Sequence, residues 1–120
     1  MSRDLLLYLE DILERIDKIE RYVGNMTQEE LIQDDKTYEA VVYNLQIIGE
    51  ASKHIPEEYR QAYSQIEWRK IVALRNIIVH TYFSISDNII WSIIQTKLGD
   101  LEKYVSLMKG EIEEKRRKST

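Results

Sequence analysis

Leu5-Leu6-Leu7-Tyr8-Leu9-Glu10-Asp11-Ile12-Leu13-Glu14-Arg15-Ile16-Asp17-Lys18-Ile19-Glu20-Arg21-Tyr22-Val23 decides the fold class. Within it Leu5, Leu9, Ile12, Ile16, Ile19 and Val23 recur every three or four residues. That is the 3.6-residue period of a helix with one apolar stripe, about six turns long. Gly24 and Asn25 suit the end of such a helix. Thr27 with Glu30 has the spacing of a capping box and restarts a short helix. Asp34 or Asp35 caps the next one, whose stripe runs through Tyr38, Val41, Val42, Leu45, Ile48, Ser52 and Ile55. The small residues Gly49, Ala51 and Ser52 predict close approach of another backbone there.

Pro56 stops that helix and can open the next, leaving residues 57–63 as a short helix or a loop. Ser64 with Glu67 has capping-box spacing and predicts the start of a helix carrying Ile66, Ile71, Val72, Leu74, Ile78 and Val79. Thr81, Tyr82 and Phe83 predict fraying, and Ser86 or Asp87 caps a last helix through Ile90, Ile94, Leu98, Leu101, Val105, Met108 and Ile112. The pattern therefore predicts an all-α antiparallel bundle: four main helices plus one or two short ones, in one domain over residues 1–120 whose last eight or so fray. Four glycines and one proline argue against an all-β fold.

Composition narrows the function classes. The 120 residues contain no cysteine, which excludes disulfides, thiolate zinc and a Cys nucleophile. Two histidines and no carboxylate cluster with ligand spacing leave no expected metal site and no expected cofactor. No run approaches the roughly 20 apolar residues of a membrane span. Residues 5–9 are too short an apolar run for a signal core. A cytoplasmic location follows as the expectation. Seventeen basic against 21 acidic residues give a net charge of −4, which weighs against a general nucleic-acid binder.

The segment Arg75-Asn76-Ile77-Ile78-Val79-His80-Thr81-Tyr82 breaks the pattern. Arg, Asn and His interrupt an otherwise apolar run, and an unpaired buried cation costs several kcal/mol. Either these groups form a structural network or they face a cleft or interface. On a helix Asn76 and His80 share a face, whereas Arg75 and His80 lie roughly 140° apart and about 7.5 Å along the axis. A second copy related by a two-fold axis brings an Arg and a His to one groove, which points to a homodimer. Histidine transfers protons near neutral pH, and arginine clamps phosphate. Without a metal, that pair suits phosphodiester transesterification in RNA, where the 2′-hydroxyl is the nucleophile. Arg69, Lys70 and Arg60 are candidates for a phosphate-binding rim or are ordinary surface charge. Glu50 either pairs with Arg75, reaches the groove or is solvated. His54, at a helix end, reads as structural.

The same residues carry a family resemblance. Arg75 to His80 resembles the Arg-(four to six residues)-His motif of HEPN domains, and His80-Thr81-Tyr82 resembles its Arg-x4-His-x-Tyr form in HepT-like toxins. Tyr8-Leu9-Glu10-Asp11-Ile12, Asn44 to Ala51 and Trp68 are similar to the corresponding stretches, so that the likeness covers roughly residues 4–108. The resemblance implies a dimerising helical bundle and a metal-independent endoribonuclease toxin. It also implies a minimal nucleotidyltransferase antitoxin that transfers AMP to Tyr82. On this reading His80 is the general acid/base, Arg75 the phosphate clamp and Asn76 the orienting residue. The alternative is a non-catalytic nucleotide-binding or adaptor subunit of a nucleotidyltransferase.

Overall fold

The computed structural model describes residues 3–80 and 86–119, with positions 79 and 80 described by their backbone alone. Among the described residues there are seven helices and no strand: α1 (Leu5–Val23), α2 (Gln28–Gln33), α3 (Asp35–Ser52), α4 (Glu57–Ala62), α5 (Trp68–His80), α6 (Asp87–Thr96) and α7 (Leu98–Lys118). None of them is long and apolar enough to cross a membrane. The helix α1 packs along α3 and α7, and α3 packs along α5. Leu9, Ile12, Ile16 and Ile19 are fully buried, as are Leu45 and Ile48 of α3 and Leu101, Val105 and Met108 of α7. These are the stripes that the sequence period marks.

Local signals set most boundaries. Asp4 caps α1, Thr27 and Glu30 form the reciprocal capping box of α2, Asp34 caps α3 and Ser86 caps α6. Each supplies a side-chain acceptor to an otherwise orphaned backbone N–H. Gly24 ends α1 at φ 51°, a left-handed conformation that glycine adopts without a Cβ clash. Pro56 stands just before α4, which is a short helix rather than a loop.

Three differences from the expected pattern have physical causes. The Ser64–Glu67 spacing does not form a cap, since α5 begins at Trp68. Ile66 and Trp68 are both buried, and the Trp68 indole donates to the Tyr63 carbonyl at 3.0 Å. Burying both side chains requires a turn where the local signal asks for helix. The expected single last helix is divided at Lys97. There Thr96 Oγ1 donates to the Ser92 carbonyl at 2.6 Å, and such back-bonding bends a helix. Residues 113–118, expected to fray, continue α7. Arg116 makes two hydrogen bonds to Asp4, at 2.7 and 2.9 Å, and these hold the Asp4 carboxyl down at about 2.

Glycine 49 fixes the α3–α5 crossing. A Cβ built there would lie 2.9 Å from the Arg75 amide nitrogen and 3.1 Å from the Ile71 carbonyl oxygen. Both are backbone atoms, so the helices must separate to admit a methyl group. Gly49→Ala should lower the free energy of unfolding by about 1–3 kcal/mol. Gly110, also mid-helix, has nothing within 4 Å of its Cβ position. Gly110→Ala should therefore raise stability, by about 0.5–1 kcal/mol. Urea titrations of the two variants should move in opposite directions.

Candidate active site on the α5 ridge

Helix α5 has three chemically different sides. Ile71, Leu74 and Ile78 face the core and are buried. Arg75 lies on the flank toward α3, half-buried, while Arg69 and Asn76 are exposed on the solvent side. The close approach at Gly49 draws α3 in at this level, and the next residue, Glu50, lies beside Arg75. Its Oε2 is 3.8 Å from Arg75 Nε. From the other end Arg75 Nη1 donates to Asn76 Oδ1 at 3.1 Å. One ion pair and one hydrogen bond thus orient the guanidinium. Both partners of the Glu50 pair are more than 40% exposed, so the pair contributes little stability. Its consequence is orientation of a planar cation at the surface, where anions can reach it.

Of the residues singled out in the sequence, the structure brings together Arg75, Asn76 and Glu50. Asn76 bonds Arg75, a neighbour that helical spacing does not pair with it. The His80 backbone is the last position of α5. Its side chain lies outside the described atoms, and Tyr82 lies outside the described residues. Among the described residues no cluster of His, Asp or Glu could hold a metal ion.

The three rim candidates separate. Lys70 pairs with Glu67 at 2.8 Å. Arg60 Nη2 donates to the carbonyls of Ser52 and Lys53, at 3.1 and 3.0 Å, and so covers the C-terminal end of α3. Arg69 has no hydrogen-bond or ion-pair partner among the described residues. His54 stacks on the Tyr8 ring, with centroids 4.3 Å apart and planes at 7°, consistent with a structural role.

A groove of about 540 Å³ between α5 and α6 was not foreseen from the sequence. Leu74, Ile77, Ile89 and Ile93 line it, with Arg69 and Lys97 at its rim. The sequence signal for it was Ile77 and Ile89, two large apolar residues outside the core stripes, both exposed. Glu67 bridges Lys70 and Lys97 at the groove edge and ties the start of α5 to the α6–α7 junction. Hydrogen bonds from Lys70 and then Lys97 hold its carboxyl down at about 2.

Known proteins resemble the chain along most of its length. Residues 12–108 match the family described as "Ribonuclease HepT-like". A Methanocaldococcus jannaschii protein named "Putative RNase" is 36% identical over 116 residues, spanning 93% of this chain and 96% of its own. The "Probable ribonuclease HepT" of Thermococcus cleftensis is 36% identical over 110 residues, covering 91% of this chain and 100% of its own. In fold, a tri-AMPylated HEPN toxin of Shewanella oneidensis, solved in complex with an MNT antitoxin, superposes with a TM-score of 0.65. That match is 24% identical and covers 91% of this chain and 99% of the other.

The Glu67 bridge has a pH signature. A carboxyl whose folded pKa lies below its unfolded value adds stability above the unfolded pKa and loses it as pH falls toward the folded one. Here that window runs from 4.5 down to about 2. Glu67→Gln should therefore flatten the acid limb of the stability curve in this range. Thermal unfolding at stepped pH checks it, and an unchanged limb would contradict the bridge.

Proposed function

The chain belongs to the HepT-like ribonuclease family, and from that premise we propose that it is a metal-independent endoribonuclease acting as the toxin of a toxin–antitoxin pair. The observation that carries this reading is the oriented Arg75 guanidinium at the surface of α5, held by Glu50 and Asn76 five residues before His80. Arg75 binds the scissile phosphate and stabilises the charge that develops on it. His80 transfers protons. The substrate's 2′-oxygen attacks phosphorus, its proton passes to a base, and the P–O5′ bond breaks. The 5′-oxygen leaves with a proton supplied by an acid. The products are a 2′,3′-cyclic phosphate and a 5′-hydroxyl, and DNA, which lacks the nucleophile, is inert.

Two copies form the working unit. Arg75 and His80 lie roughly 140° apart around one helix axis, so a two-fold pairing of α5 helices supplies an Arg and a His to a shared cleft more readily than one chain does. RNA and ATP place the protein in the cytoplasm. The Shewanella complex supports a minimal nucleotidyltransferase antitoxin as the partner. Its modified state supports AMP transfer as the means of neutralisation. The Tyr82 hydroxyl attacks the α-phosphorus of ATP, pyrophosphate leaves, and the resulting phosphodiester occupies the anion site beside Arg75.

Incubation of the purified chain with RNA in EDTA tests the chemistry. Cleavage should persist, yield cyclic phosphate ends and depend on a group titrating at about 6–7. Arg75→Ala and His80→Ala should each lower the rate by about 10²–10⁴ while the dimer mass is kept. Activity that vanishes in EDTA and returns with magnesium would refute the proton-transfer role of His80. For the switch, co-expression with the nucleotidyltransferase should place AMP on Tyr82 by mass spectrometry. Tyr82→Phe should stay toxic in its presence, and an adduct on another tyrosine would move the switch elsewhere.

A further inference from the structure

Arg69 occupies the same side of α5 as Asn76. At 3.6 residues per turn, positions 69, 76 and 80 fall within about 40° of one another, and the ridge they define is about 16 Å long. That length accommodates more than a single phosphate. Arg69 is exposed and lines two depressions at once, the groove toward α6 and a second one of about 480 Å³ between α4 and the start of α5. The second depression has a mixed wall, with Arg60, Gln61, Ser64 and Glu57 beside the apolar Ile66 and Val72. Arg60 spends Nη2 on the α3 carbonyls, but its buried Nε has no hydrogen-bond partner. Lys70, next in sequence to Arg69, is held by Glu67. Arg69 has neither a carboxylate nor a carbonyl partner among the described residues.

We propose that the Arg69 end of the α5 ridge, together with the depression walled by Arg60, Gln61 and Ser64, binds a phosphodiester flanking the one that is cleaved. The proposal rests on the reading of the chain as a ribonuclease and extends it to how the strand is held. The ligand is a single strand of RNA, whose backbone can follow the ridge from the scissile phosphate near Arg75 toward α4. Arg69 presents a planar fork of donors to that second phosphate. The consequence is a dependence on substrate length: a dinucleotide fills the cleavage position alone, and a longer strand also reaches Arg69.

Binding and cleavage test this separately. The binding probe is a 2′-O-methylated ten-nucleotide RNA, which lacks the nucleophile and survives. For the full chain, log K against log salt should be shallower in Arg69→Ala than in the wild type, by about 0.7 for each phosphate that is no longer neutralised. Arg69→Lys should keep the slope, because it keeps the charge, while binding more weakly. In cleavage, the ratio of kcat/KM for a ten-nucleotide RNA to that for a dinucleotide should fall about tenfold in Arg69→Ala. An unchanged slope and an unchanged ratio would overturn the subsite. A wild type that cuts no RNA yet shows the slope change would sink the catalytic reading and leave phosphate binding at Arg69 standing. Unaltered circular dichroism confirms that the exposed substitution has not disturbed the fold.

Discussion

The crossing of α3 and α5 at Gly49 is the constraint on which the rest of the structure depends. A missing side chain lets one helix approach the other until the Cβ position of Gly49 lies 2.9 Å from a backbone nitrogen of Arg75. The approach does two things. It closes the core over Leu45, Ile48, Leu74 and Ile78, and it fixes the distance from Glu50 to Arg75. The exposed pair is weak by itself, so its geometry is inherited from the backbone crossing, not created by the charges. The backbone of Arg75 is thereby positioned by a close approach that no rotamer change can relax. Such positioning suits catalysis, where small misplacements cost large factors in rate.

Helix α5 is a structural and a chemical element at once. Its buried side anchors it, its flank carries an oriented guanidinium, and its ridge carries Asn76 and Arg69. These roles are separated by angle around one axis, so a substitution on one side leaves the other two largely undisturbed. The groove toward α6 follows from the same arrangement. Ile77 cannot face the core when Ile78 and Leu74 already do, and it lines the groove wall with Ile89 and Ile93.

The fold was legible wherever local chemistry decides. The caps at Thr27, Asp34 and Ser86 and the stop at Gly24 depend on residues within one turn. The core stripes depend on period alone. What the sequence hid was set by tertiary packing. Ser64 and Glu67 have the spacing of a cap, but burial of Ile66 and Trp68 overrides it. The division at Lys97 needs the Thr96–Ser92 back-bond and the pull of Glu67 on Lys97, and heptad spacing shows neither. At the site, the pairing of Glu50 with Arg75 was one of three readings open for Glu50, beside the groove and solvation, whereas the close approach itself was marked by Gly49. The turn of Asn76 toward Arg75 was not, because spacing relates Asn76 to position 80 and says nothing of its immediate neighbour.

Net charge conceals how the cations are distributed. The chain carries −4 overall, and many of its basic residues are committed to local acids: Arg3 to Asp11, Arg21 to Asp17, Lys97 to Glu67, Arg116 to Asp4. Arg60 is committed to carbonyls instead. Each such pairing removes a cation from the field that a polyanion meets. Those that remain count for more, and Arg69, with no ion-pair partner among the described residues, is one of them. An acidic protein binds nucleic acid weakly in general, since little of its surface releases counterions. It can still hold a strand where a cation is left unneutralised. On the proposed reading as a ribonuclease, this arrangement would favour engagement of a strand at the few unpaired cations over adhesion elsewhere, so that selectivity would lie in the pairing pattern of the protein's own side chains.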